Sequence, residues 1–232
     1  MKRVLVVSCI CLSGLFTLNY IYAQQGQKVT PSEILGERRE YYFDRDRVDE
    51  LPAGFQNALT GKGDQGRWIV KKIEHAPSAD NIVVQIRLDN TNYRFPLLLL
   101  EDRSYKDLMV YTRFRAEGGT VDQAGGLVFR CKDNNNYYVL RANALENNVT
   151  LYKVINGKRI QIKGKNTKIT PQEWHLLKVV CEGDKIRCFL DNTKVFEVSD
   201  ETFDSGTVGL WTKADSYTFF DDLVIQEMKK SL

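Results

Sequence analysis

The residues best suited to recognition fall in GLVFRCKDNNNYYVLRANALENNVTLYK, residues 126–153. Arg130, Tyr137, Arg141 and Asn143 are set at alternating positions on either side of a loop of Asp and Asn. Guanidinium and amide groups hydrogen-bond to hydroxyls. A tyrosine ring gives an apolar surface on which a pyranose ring can lie. The same pattern also describes a solvated sheet face held by cross-strand pairs, with no ligand at all. Of Trp68, Trp174 and Trp211, the last is the best aromatic platform, because Thr212 and Lys213 follow it toward a loop; Trp174 opens an apolar strand and reads as core. The candidate ligand contacts are therefore Arg130, Tyr137, Arg141, Asn143 and Trp211.

Other chemistries find less support. His75 and His175 are the only histidines, and neither has an evident Ser or Cys partner at a turn, so a nucleophilic triad is not expected. No CxxC occurs, which argues against zinc. Asp221 and Asp222, in FFDDL, fall on opposite faces of a strand and suit ion pairing with an Arg across the sheet; calcium is the alternative. Asp133 to Asn136 carry oxygens for the same ion, but Asp and Asn also terminate hairpins through left-handed turn geometry. No cofactor is expected, with Ca²⁺ as the one alternative.

The elements that must position these groups are strands. Eleven Tyr, eleven Phe and three Trp, with many Val, Ile and Thr, favour β-structure. Short runs such as NIVVQIRL, LMVYTRFRA, GLVFRCK, YYVLRAN, VTLYKVI and KIRCFL recur between turn residues. No alternation of strand and helix is present, which excludes doubly wound and barrel α/β folds. So many strands in one domain predict two stacked antiparallel sheets. TPSEILGERRE, at 30–40, has the capping residues of a short helix: Thr30 as cap, Pro31 in the first turn and Glu33 completing a capping box.

The N-terminus reads as a secretory signal over residues 1–23: a basic MKR, an apolar VLVVSCICLSGLFTL and a small residue, Ala23. A retained anchor is the alternative. Residues 24–40 are a polar lead-in, 41–227 the sandwich domain and 228–232 a C-terminal tail. Without residues 1–23 the chain has 31 Lys and Arg against 30 Asp and Glu. That balance gives no electrostatic case for nucleic acid or an anionic membrane surface. No other segment is apolar and long enough to span a bilayer. The expected partner is a glycan or another extracellular polymer, met in the periplasm or outside the cell.

Three cysteines remain beyond the signal, Cys131, Cys181 and Cys188. If Gly183-Asp184 is a two-residue hairpin loop, Cys181 faces Ile186, Cys188 faces Val179 and Leu177 faces Leu190. The two cysteines are then diagonal neighbours, poorly placed for a bridge, and buried thiols are expected. The same parity rule applies to the opening segment. A four-residue loop at 133–136 sets Lys132 opposite Tyr137. Leu127, Phe129, Cys131, Tyr138, Leu140 and Ala142 then form a core face. Val128, Arg130, Lys132, Tyr137, Val139, Arg141 and Asn143 form a solvent face.

The motif order resembles the concanavalin A-like lectin/glucanase superfamily, and within it bacterial laminin G-like and 3-keto-disaccharide hydrolase-like exported domains. The resemblance rests on WHLLKVVCEGDKIRCFLDNTKVFEV, on GTVGLWTKADSYTFFDDLVI and on AGGLVFRCKDNNNYYVLRA. It implies a jelly-roll sandwich with glycan bound on one sheet face or at its rim loops. It also leaves two other roles open, a glycoside hydrolase and a protein-binding adhesive module. The Glu-x-Asp-x-x-Glu strand of family-16 glycoside hydrolases is missing; the acids of Phe43 to Asp49 are spaced differently. That departure speaks against their paired-carboxylate mechanism.

Overall fold

A computed structural model describes residues 35–101 and 103–229, and over that range it contains strands and no helix. The expected signal, the capping residues Thr30, Pro31 and Glu33, and most of the C-terminal tail lie outside the described residues. In chain order the strands are β1 (Leu35–Tyr41), β2 (Phe55–Gly61), β3 (Trp68–Lys72), β4 (Asn81–Gln85), β5 (Arg94–Leu100), β6 (Leu108–Gly118), β7 (Ala124–Asp133) and β8 (Asn136–Asn143). They continue with β9 (Asn148–Ile155), β10 (Lys158–Asn166), β11 (His175–Glu182), β12 (Lys185–Leu190), β13 (Thr193–Ser199), β14 (Thr207–Trp211) and β15 (Tyr217–Met228).

They make two antiparallel sheets. One has eight strands, ordered β13-β12-β11-β6-β15-β4-β3 with β1 also paired to β15; the other has seven, ordered β10-β9-β8-β7-β14-β5-β2. The helix expected within 30–40 is corrected over its described part. Residues 35–41 pair with β15, where Arg39 meets Ile225 and Tyr41 meets Leu223. A local capping pattern yields here to a ladder of tertiary hydrogen bonds.

The main core fills the space between the sheets. Leu98, Leu127, Phe129, Leu140, Leu151 and Leu210 from one sheet meet Val110, Phe114, Val179, Phe220 and Ile225 from the other. The β11–β12 hairpin has the register expected from its Gly183 turn: Cys181 pairs with Ile186, Val179 with Cys188 and Leu177 with Leu190. Cys131, Cys181 and Cys188 are all buried free thiols. Burial is the main cause that pushes the Cys131 and Cys181 thiols up to about 12.

The β7–β8 hairpin departs from expectation. Asp133 pairs with Asn136, so only Asn134 and Asn135 make the turn, and a bulge then sets Phe129, not Cys131, opposite Tyr138. Residues 130–132 together oppose Tyr137 alone. Arg130 takes a left-handed φ of 47° inside this bulge. From Phe129 back to Ala124 the expected faces hold, because the shift in pairing is an even number of residues. Within the bulge parity fails: Cys131 joins the outer face and Arg130 leaves it.

Candidate functional site

The outer face of the seven-stranded sheet carries a second cluster of large side chains, including Phe95, Leu97, Val128, Tyr137, Val139, Tyr152 and Trp211. Alternation produces it: Tyr137 and Val139 precede Arg141 and Asn143 on β8, with Tyr152 and Val154 paired beside them on β9. A close approach at Gly126 lets the rings settle. A Cβ there would stand 2.9 Å from Val139 and 3.0 Å from Trp211. Trp211 therefore lies down over β7 and stacks on Phe95, with ring centroids 5.3 Å apart and planes at 18°.

Onto this floor fold two arginines. The Arg159 guanidinium, from edge strand β10, sits 4.5 Å from the centroid of Tyr152, 4.7 Å from Phe95 and 5.9 Å from Trp211. Arg141 reaches Tyr152 from β8, 5.5 Å from the same ring. Arg141 is 1% exposed, and its Nη2 donates to Glu146 Oε2 at 2.8 Å and to Asn148 Oδ1. The Nε of Arg141 and Nη1 of Arg159 are buried and have no hydrogen-bond partner.

A polar rim closes one end. Asn143 donates through Nδ2 to Asp122 Oδ1 at 2.7 Å, and Lys213 Nζ donates to Asp122 Oδ2 at 2.5 Å. The Asn143 side-chain oxygen accepts from the backbone N–H groups of Leu145 and Glu146, a local turn that carries Glu146 to Arg141. Asp122 is held by its own loop. The Asp215 carboxylate accepts from the N–H groups of Thr120, Val121 and Asp122 at 2.6 to 3.1 Å. Gly119, at φ 136°, passes so near that a Cβ would lie 1.9 Å from the Asp122 carbonyl oxygen.

The two carboxylates of the rim are tuned in opposite directions. Burial raises the Asp122 carboxyl, more than the attraction of Lys213 and Arg141 lowers it. For Glu146 burial also raises, but the hydrogen bond and charge of Arg141 outweigh it and the carboxyl is lowered. Burial in turn disfavours the charged form of Arg159 and lowers it.

Tyr137, Arg141 and Asn143 thus share one face, as strand alternation implied, and Trp211 joins them from β14. They are buried rather than solvated, because the aromatic rings and Arg159 fold over the smaller side chains. The Tyr137 hydroxyl is 2.9 Å from Thr60 Oγ1, at the end of the site away from Asp122. Arg130 is the exception and a correction. It donates to the backbone carbonyls of Lys106, Phe203 and Gly183, so it ties β7 to the β11–β12 turn of the opposite sheet. Trp174 is corrected too: it lies half-buried against the outer face of the eight-stranded sheet, 5.1 Å from the Arg115 guanidinium. Trp68 is core, 5.8 Å from Phe220.

Asp122, Glu146, Tyr152, Arg159 and Lys213 escaped the sequence reading. Lys213 and Arg159 left a trace, since Lys213 is two residues beyond Trp211 and Arg159 alternates with Ile160 in RIQIKG. Asp122 left none, because it comes from a loop. Asp222 pairs with Arg113 at 2.7 Å, and Asp221 accepts from Ser78. The Asp133 carboxylate closes its own turn on Asn135 and Asn136. Among the described residues no group of three or more His, Cys, Asp or Glu is arranged to hold a metal ion, and no helix is long and apolar enough to cross a membrane.

Comparison with known proteins gives three kinds of likeness. A family model described as 3-keto-alpha-glucoside-1,2-lyase-like domain matches residues 54–226. The chain is 30% identical over 113 residues to the levanase of Bacillus subtilis (strain 168), an alignment spanning 48% of this chain and only 17% of that protein's length. Among solved structures, the carbohydrate binding module CBM66 from Bacillus subtilis superposes with a TM-score of 0.57 at 24% identity, over 69% of this chain and 95% of its own. Domain 4 of AbnA, a GH43 extracellular arabinanase from Geobacillus stearothermophilus in complex with arabinotriose, gives 0.56 at 14% identity, over 86% and 96%. At such identities the superpositions speak to fold, and the fold is an all-β, concanavalin A-like jelly-roll sandwich.

Proposed function

The chain belongs to the family of 3-keto-alpha-glucoside-1,2-lyase-like domains, and from that premise we propose that it is an exported carbohydrate-binding module whose ligand lies on the outer face of the seven-stranded sheet. One observation carries the reading: Arg141 is 1% exposed, yet its Nε has no partner and its guanidinium lies against Tyr152. A buried donor left unsatisfied costs about 1–3 kcal/mol. A sugar hydroxyl that reaches this nitrogen recovers that cost, and Tyr152, the most exposed of the Phe95, Tyr137, Tyr152 and Trp211 rings at 9%, meets part of the sugar's apolar side. The names of the matched levanase, CBM66 and arabinanase domain, all of them tied to glycans, support the same reading. Export rests on the signal-like residues 1–23.

A second reading, a glycoside-cleaving enzyme, is favoured by the Asp122–Glu146 pair. One carboxyl is raised and the other lowered within one charge cluster, the division of labour that acid–base catalysis uses. One experiment serves both readings. Mature protein is applied to a glycan array with and without chelator, beside Arg141→Ala, and reducing-sugar release is followed on every ligand found. Binding weakened by tenfold or more in Arg141→Ala, with no release, supports the module. Release that disappears in Asp122→Asn supports the enzyme. A wild-type protein that binds no glycan removes the carbohydrate reading.

A further inference from the structure

We propose that the saccharide taken by this face is anionic, bearing a carboxylate or a sulfate ester that docks on Arg159; the inference rests on the carbohydrate-binding reading above. The charges of the site leave one position open. Lys213 is paired with Asp122 at 2.5 Å and Arg141 with Glu146 at 2.8 Å. Arg159 is the third cation, and among the described residues it forms no salt bridge. Three aromatic rings lie within 5.9 Å of its guanidinium carbon. Rings stabilise a cation through their π faces but accept little from its in-plane N–H donors. Nη1 of Arg159 is accordingly buried without a partner, like Nε of Arg141 on the same tyrosine.

A guanidinium keeps its charge at any physiological pH, so it cannot escape burial by losing a proton. A neutral hydroxyl would satisfy one N–H and leave the charge uncompensated. An oxyanion satisfies both, and charge-assisted hydrogen bonds are roughly twice as strong as neutral ones. Asp122 and Glu146 already have cationic partners and Asp215 is taken up by backbone N–H groups, so Arg159 is the charge of the site left without a counter-ion. A uronate carboxylate matches the planar fork in two parallel bonds; a sulfate ester offers the same charge with tetrahedral geometry.

The test is calorimetry on the mature protein with size-matched oligogalacturonides, sulfated heparin-derived oligosaccharides and neutral fructo- and arabino-oligosaccharides. Binding of one acidic class at least tenfold tighter than the neutral ones is expected, and it should weaken at least fivefold between 50 and 500 mM NaCl through screening. Arg159→Gln should erase the preference of acidic over neutral sugars; Arg159→Lys, which keeps the charge and loses the fork, should retain part of it. Whichever acidic class wins identifies the source of the oxyanion. Neutral sugars binding as tightly as acidic ones, or a preference intact in a folded Arg159→Gln protein, would overturn the inference and leave the carbohydrate reading standing. Binding of no saccharide would overturn both. A wild-type salt response with no decrease in affinity counts against it even if both variants misfold.

Discussion

At the level of single residues, the site is a set of strong hydrogen-bonding groups held without enough partners. Arg141 and Arg159 share the ring of Tyr152, and each keeps one buried nitrogen unpaired. Polar groups this deep are ordinarily satisfied by protein, water or ligand. The thiols show the opposite logic. Cys131 and Cys181 are pushed up to about 12, chiefly by burial, and Cys188 is raised well above its ordinary value for the same reason. A thiol that remains protonated is a poor nucleophile. The native protein without residues 1–23 should therefore show no rapid reaction with a thiol-specific disulfide reagent at pH 8, and three equivalents once unfolded. A fast native equivalent would place one sulfur within reach of solvent.

Among the elements, the bulge in β7 decides most. It turns Cys131 outward, where it joins the Tyr137 face, and sends Arg130 toward the other sheet. There three carbonyls accept from its guanidinium, with Asp107 3.6 Å away. Replacing Arg130 by Ala strands those carbonyls and should cost about 3 kcal/mol or more, a magnitude typical of breaking a buried charged contact. The measurement is a urea denaturation curve. Ligand affinity of the folded fraction should stay within twofold of wild type; a loss like that of Arg141→Ala would return Arg130 to the binding face. Parity was legible wherever the ladder is regular, as in β11–β12 and in 124–129 of β7. It was not legible at 130–132, since Arg-Cys-Lys carries no Gly or Pro to announce a bulge.

For the molecule as a whole, the two sheets are fastened at one end by Asp200, which follows β13 in the eight-stranded sheet. Its carboxylate takes the Lys153 ammonium of β9 at 2.7 Å and the Tyr138 hydroxyl of β8 at 2.5 Å. Burial raises the Asp200 carboxyl, but hydrogen bonds from Lys153, Thr202 and Tyr138 outweigh it and hold it well below its ordinary 3.8. A depressed carboxyl favours the folded state when ionised, so this contribution is present above about pH 4 and fades as pH falls toward the folded-state value. Asp200→Asn should destabilise by about 1–3 kcal/mol at pH 7, and its melting temperature should draw steadily closer to the wild type as pH falls below about 4 toward the folded-state value. An unchanged difference at low pH would show that charge is not what fastens the sheets. Some of this protein was fixed by sequence alone. Period-two alternation and turn residues set the strand content, the two-layer architecture, the β11–β12 register and the common face of Tyr137, Arg141 and Asn143, because side-chain direction in a strand follows from local geometry. The partners came only with the tertiary structure. Asp122, Glu146, Lys213 and Arg159 reach that face from loops and from an edge strand, as far as 91 residues from the group they meet, and no local rule brings together groups joined only by the closing of a sheet.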